Sequence, residues 1–336
     1  MTMRTLGFTL VGILFITKAM ATTQIQDVSK MVVADRAAAR IARIASHTSN
    51  ARLRAQEFEK LVDGEKNGNP SLTYGLAKYY REKWQIYKYS EKIGGIPSPL
   101  MNKIYNNLRN KYHLQKMPSE MTGESSKYRK DRSYYLSYIK YIQKAAAEND
   151  TTAEASLARA YFWEPMRKVM LDSYMTQKNG SGGNSGTVYL IMSEHAVFGK
   201  VWAIMLEKAK HWEEEAINQG SPRAMYQTSL YTMVLRKDFN GIEANNGFNC
   251  PELSNSVHQY TGIINISPHG GFIKSAKLGN VTAMYTVMCQ FSNSTNRNLL
   301  FKKLETSLDY KNYGPNSMLK LIDLTRTPKA FCKAMK

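Results

Sequence analysis

Cysteine is scarce in this chain, with Cys250, Cys289 and Cys332 the only three in 336 residues. No Cys or His pair among them has metal-ligand spacing, which argues against a zinc or iron–sulfur module. Acidic side chains are also short, 27 against 46 Lys and Arg, so the formal charge is +19. The apolar run from Thr5 to Ile16 is about a dozen residues, too short for a lone helix to span a bilayer. The glycines of "QKNGSGGNSGT" (177–187) fit neither dinucleotide nor P-loop spacing, which leaves a flexible connection and no phosphate loop.

What remains is an ordinary globular composition, 43% apolar and 22% charged, in a chain long enough for one large or two ordinary domains. The start, "MTMRTLGFTLVGILFITKAMATT", has the basic, apolar and small-residue order of a secretory signal peptide, with cleavage expected after Ala21. No cysteine follows the run to carry a lipid. Loss of Arg4 and Lys18 from the total of +19 would leave +17.

Between Lys78 and Lys144 stand fifteen Lys or Arg against five Asp or Glu, mixed with many tyrosines. In an exported protein this points away from nucleic acid and towards an acidic protein, with a weaker attraction to an anionic membrane or wall surface. A solvated helix face is the plain alternative. Within the stretch, Tyr134, Tyr138 and Tyr141 fall at i, i+4 and i+7, just after Arg129, Lys130 and Arg132. The row reads either as a core stripe or as an aromatic face for a protein partner.

Four segments share one grammar: "EKNGNPSLTYGLAKYY" (65–80), "AAENDTTAEASLARAYF" (146–162), "AINQGSPRAMYQTSLYT" (216–232) and "KSAKLGNVTAMYTVMCQF" (274–291). Aligned on Gly68, Asn149, Gly220 and Gly279, each has a residue that readily takes the left-handed conformation ending a helix. The next residue, Asn69, Asp150, Ser221 or Asn280, is a good N-cap for a new helix. Pro70 and Pro222 follow at the first helical position. Four residues past the anchor come Leu72, Ala153, Ala224 and Ala283; eight past it, Leu76, Leu157, Thr228 and Val287. Then follow Ala77, Ala158, Ser229 and Met288, and, at twelve, Tyr80, Tyr161, Thr232 and Phe291. This spacing makes one apolar helical face, with small residues that let helices approach closely. The expected fold is all-α, a solenoid of helix–turn–helix units.

The pattern resembles the Sel-one-like repeat family, relatives of the tetratricopeptide repeats. Its units read approximately A-A-x-x-G-x-x-x-A-x-x-x-L-G-x-x-Y. Ala145, Ala146, Ala153, Leu157, Ala158 and Tyr161 fit well; Ala276, Gly279, Ala283 and Phe291 fit fairly. Thr228, Thr232 and Met288 depart from it. The resulting layout is a signal peptide (1–21), an N-terminal helical segment (22–62) and a repeat domain (63–336). The anchors lie further apart than one family unit, so degenerate helices are expected at 98–114, 132–149 and 199–218, with a leading helix around 28–62. The repeat domain carries insertions near 177–187 and 238–271, a shorter loop at 91–100 and C-terminal capping helices.

An odd cysteine count in an oxidising compartment implies one bridge and one leftover thiol, in three possible pairings. Cys250 with Cys289 is favoured, because it would tie the long segment 238–271 to a helix at a gain of roughly 3 to 4 kcal/mol.

Catalytic signals are thin. Ser137 and Lys140 form an S-x-x-K, but no S-D-N or K-T-G follows. Glu194, His195 and His269 lack a partner at catalytic or ligand spacing. No catalytic residue, metal, cofactor or small-molecule substrate is expected. Family members with signal peptides in Gram-negative bacteria include host-interaction factors, envelope adaptors and periplasmic immunity proteins that neutralise type VI secretion phospholipases. The resemblance thus implies a periplasmic, non-enzymatic protein-binding scaffold, foremost an immunity protein, alternatively an envelope or host-facing adaptor.

Overall fold

The computed structural model describes residues 30–90, 99–112, 129–163, 185–236, 251–262 and 267–291, with positions 297, 298, 302, 327, 329 and 332. Among the described residues the secondary structure is all helical, without a strand. In chain order the helices are α1 (30–47), α2 (Ala51–Lys66), α3 (Pro70–Ser90), α4 (Pro99–Tyr112), α5 (Arg129–Ala147), α6 (151–163) and α7 (Ser185–Asn218). They continue with α8 (Pro222–Val234), α9 (Pro251–Thr261), α10 (Pro268–Lys277) and α11 (Val281–Thr286), which runs into a π-helical turn, Val287–Phe291. None is long and apolar enough to cross a membrane. Two compact units divide the chain, one ending at Ser221 and the other beginning at Pro222.

The aligned turns share one backbone geometry. Gly68, Asn149, Gly220 and Gly279 have φ of 70°, 61°, 87° and 97°, and among the described residues these are the left-handed positions. Each donates its N–H to the carbonyl three residues back, and the following residue donates to the carbonyl five back: Asn69 to Gly64, Asp150 to Ala145, Ser221 to Ala216 and Asn280 to Ser275, at 2.9 to 3.1 Å. That pair of bonds satisfies carbonyls the ending helix would otherwise leave open. In three of the four turns the same following residue then caps the next helix. Asn69 Oδ1 accepts from Leu72 N–H (3.0 Å), Asp150 Oδ1 from Ala153 N–H (2.8 Å) and Asn280 Oδ1 from Ala283 N–H (2.9 Å). One residue therefore closes one helix and opens another, with no loop between.

In the first unit, α3 packs chiefly against α5 and α2, and α4 against α7. The α1 helix presents a buried stripe of Asp35, Ala38, Ala42, Ala45 and Ser46. Its small side chains let it come so close to α3 that a Cβ on Gly75 would lie 2.9 Å from Ala38 Cβ. Ala42, Leu61 and Leu76 form a core cluster with Phe58, Val62 and Leu72 against it. The α5 and α6 helices meet where Gln143 Nε2 donates to Tyr161 Oη at 3.3 Å, and α6 meets α7 where Gln219 Nε2 donates to Glu154 Oε1 at 2.8 Å.

The second unit packs α10 against α8 and α11. Phe272, Ala276, Ala283, Met284, Val287 and Met288 form its core, with Tyr226 and Leu230 against them. Ser275 Oγ and Asn280 Nδ2 both donate to the Pro222 carbonyl. The hydroxyls where the repeat pattern departs are absorbed locally: Thr228 Oγ1 donates to Ala224 O (3.0 Å), and Ser229 Oγ to Met225 O (2.8 Å). Such back-bonding lets a polar side chain sit on a buried helix face.

Three sequence expectations need correction. The leading segment is two helices, interrupted at 48–50, because Asn50 Oδ1 accepts from Leu53 N–H and caps a new start. The segment 238–271 is not wholly irregular. It contains α9, whose Leu253, Ser256, Val257 and Tyr260 form a buried face, and the first residues of α10. The favoured disulfide is wrong: Cys289 pairs with Cys332, their Cα atoms 5.4 Å apart. Cys332 joins the α8–α10–α11 core alongside Cys289, so the bridge ties the π-helical turn to a residue 43 positions on.

Candidate binding surface

The repeat-defining residues are structural. Leu76, Ala77, Ala153, Leu157, Ala158, Tyr161, Ala224 and Ala283 are buried on the faces their spacing assigned. Gly68, Asn149, Gly220 and Gly279 sit in the turns, and Phe291 ends the π-helical turn. Tyr80 differs, since it is half-buried at the edge of an aromatic row that crosses α2, α3 and α5.

That row starts with Phe58 against Tyr79 (ring centroids 4.7 Å apart), continues through the Tyr79–Tyr80 edge contact (5.3 Å), and ends where Tyr80 stacks on Tyr141 and tilts against Tyr134 (5.4 and 6.4 Å). Phe58, Tyr79, Tyr80, Tyr134 and Tyr141 are all half-buried, so each packs one side of its ring and leaves part of it accessible. Tyr138 belongs to the core, at 6% exposure, with Tyr135 beside it and Trp84 behind. The three-tyrosine row thus divides: Tyr138 is a core residue, and Tyr134 and Tyr141 contribute to a surface.

Cations flank this surface. Lys83 Nζ lies 5.6 Å from the Tyr79 ring centre, and Lys140 Nζ 5.2 Å from that of Tyr141. Lys83 also donates to the Ser46 carbonyl at 3.3 Å. Burial, and secondarily the charge of Arg54, pushes its ammonium pKa down. Lys144 pairs with Glu65 across α5 and α2 at 2.7 Å, and that hydrogen bond raises its pKa. Burial raises the phenol pKa values of Tyr79 and Tyr80, and neighbouring tyrosines add to it. These rings stay neutral at physiological pH, with their faces able to take a cation or an apolar side chain and their hydroxyls able to bond a carboxylate.

Ser137 is half-buried, and Lys140 is turned to the Tyr141 ring. His269 is exposed. The side chains of Arg129, Lys130, Arg132, Glu194 and His195 lie outside the described residues, although their backbone is helical. Cys250, the segments 91–98, 177–184 and 238–250, and most of the C-terminal capping region also lie outside the described residues. No group of three or more His, Cys, Asp or Glu able to hold a metal occurs among the described residues.

One feature had no counterpart in the sequence reading. Asp35 of α1 and the cap residue Asp150 are both buried, at 2% and 0% exposure, where α1 meets the start of α6, and the Asp35 carboxyl is near enough to act on that of Asp150. Burial first, and then the Asp35 charge, raises the Asp150 pKa to about 8. Glu154, one turn along α6, is raised to about 7 by burial, against the lowering effect of its Gln219 hydrogen bond.

No protein-family model, curated protein or solved structure matches the chain.

Proposed function

We propose that the chain is a non-enzymatic, exported Sel-one-like repeat protein whose solenoid binds another protein, foremost as a periplasmic immunity protein against a phospholipase-type toxin of type VI secretion. The observation that supports the repeat reading is the turn used four times, with the same left-handed residue and the same bond pair at Gly68, Asn149, Gly220 and Gly279. Repeat scaffolds of this sort work by presenting surface, and the half-buried aromatics Tyr79, Tyr80, Tyr134 and Tyr141 beside Lys83 and Lys140 supply one. Its character suits a partner with carboxylates among apolar side chains, consistent with the excess of 46 basic over 27 acidic residues.

The test is co-expression with a secreted lipase-type toxin encoded beside this gene. Protection of growth and a complex that survives size-exclusion chromatography are expected, and both should weaken in a Tyr80→Ser/Lys140→Glu variant that keeps its helical circular dichroism. Failure to protect, with no complex, would overturn the immunity reading. Binding to anionic vesicles that disappears at high salt, without protection, would favour an envelope-associated adaptor.

A further inference from the structure

The aligned turns differ in one chemical respect. After the left-handed residue stand the neutral side chains of Asn69, Ser221 and Asn280, and Asp150 alone is ionisable. Capping does not call for the charge, since Asn and Asp serve about equally well. Asp150 Oδ1 is satisfied by the N–H groups of Thr152 (2.9 Å) and Ala153 (2.8 Å). Its Oδ2 and both oxygens of Asp35 are buried, and no protein donor reaches them.

The ionisable groups of the surrounding helices do not compensate. On α1, Arg36 and Arg40 are exposed. At the end of α5 stands Glu148, also with a buried oxygen that lacks a donor. On α6 stands Glu154, which has Glu215 of α7 acting on it. His47, Glu82 and Lys83 meet at the far end of α1 from Asp35. Two ionised carboxylates in this position would repel in a low-dielectric site, whereas one shared proton converts the contact into an O–H···O⁻ hydrogen bond and satisfies two of the three stranded oxygens.

We infer that Asp35 and Asp150 form a proton-operated latch that fastens α1 to the start of α6, closed while the pair holds its proton and opened as it is lost. Opening releases one proton to solvent, leaving both carboxylates ionised and hydrated, with no covalent bond changed. The Thr151 hydroxyl contact to Met31 Sδ at 3.9 Å lies on the same α1–α6 seam and opens with it. The latch makes the attachment of the first helix depend on pH independently of what the chain binds.

Hydrogen exchange of the full chain, read by mass spectrometry on peptides from 30–47 and corrected for intrinsic rates, tests this. Between pH 5 and 8 the opening constant of α1 in the wild type should rise by up to about tenfold per pH unit, then level off. Asp150→Asn keeps the cap and removes the second charge, so its α1 should stay protected across that range. Asp35→Asn should behave alike and guards against a folding defect in the first variant. Wild-type protection that does not change with pH, or a pH-dependent loss that persists in both variants, would overturn the latch.

Discussion

Tyr80 of α3 and Tyr141 of α5 lie face to face, their ring centroids 5.4 Å apart and their planes within 7°. This stack joins the two most extensively packed helices of the first unit while leaving part of each ring at the surface. It ties α3 to α5 within the surface proposed to meet a partner.

A double-mutant cycle measures what the stack contributes to stability. Tyr80→Ala should destabilise the chain by about 2 kcal/mol, less than a fully buried aromatic, because the ring is only half covered. The coupling between Tyr80→Ala and Tyr141→Ala in urea unfolding should be about 1 kcal/mol. Additivity within error would mean that the two rings touch without supporting each other.

Gly64 and Leu72 form a second coupled pair, four residues before and four after the first left-handed glycine. A Cβ on Gly64 would fall inside the Leu72 side chain. The same alignment positions hold Ala145 with Ala153 and Ser275 with Ala283, so a large residue on one side is matched by the loss of a Cβ on the other. Gly64→Ala alone should cost about 1 to 3 kcal/mol by overpacking, despite its better helix propensity. Adding Leu72→Ala recreates the Ala/Ala arrangement, and the double variant should be more stable than the sum of the singles by at least about 1 kcal/mol. Thermal or urea unfolding of the four proteins measures this.

The repeat turns were readable because their chemistry is local. A left-handed residue followed by a cap leaves Gly or Asn next to Asn, Asp or Ser, and four such pairs predict the positions at which φ is positive. The break at 48–50 was missed because it has a cap, Asn50, but no glycine before it. The α9 helix was missed because Ser256 interrupts its apolar face, although Leu253, Val257 and Tyr260 at i, i+4 and i+7 carry a usable signal. Long-range pairings were beyond reach. Nothing local joins Asp35 to Asp150, or prefers Cys332 over Cys250 as the partner of Cys289. The tyrosine row at 134, 138 and 141 looked uniform, and only packing against Tyr80, Tyr135 and Trp84 tells which members are core.

Glu154 gives a pH dependence of its own. Its pKa, about 7 in the folded chain, lies above the ordinary 4.5, so the folded state holds a proton that the unfolded state releases over that interval. Its contribution is therefore fully present below about pH 4.5 and is lost as pH rises through 7. Glu154→Gln keeps an oxygen to accept the Gln219 hydrogen bond and removes the ionisation. Melting curves between pH 5 and 8 should show a smaller fall for the variant than for the wild type, with Asp150 accounting for part of what remains. Equal slopes would show that Glu154 is not buried in solution as it is in the fold.

The disulfide carries the last prediction. With Cys289 bound to Cys332, the odd thiol is Cys250. Oxidised protein, unfolded in guanidinium without reductant, should take up one equivalent of alkylating reagent, located at Cys250 by peptide mapping. Cys289 packs against the second unit's core, so the bridge also holds Cys332 to that core. Closing a loop with a sequence separation of 43 should stabilise the folded state by about 4 kcal/mol in the chain-entropy account. Cys332→Ser should lower the unfolding midpoint accordingly, whereas Cys250→Ser should leave it within about 0.5 kcal/mol of wild type, as for a substitution that breaks no bond. A Cys250-containing disulfide in the map, or a larger loss for Cys250→Ser than for Cys332→Ser, would reverse the assignment.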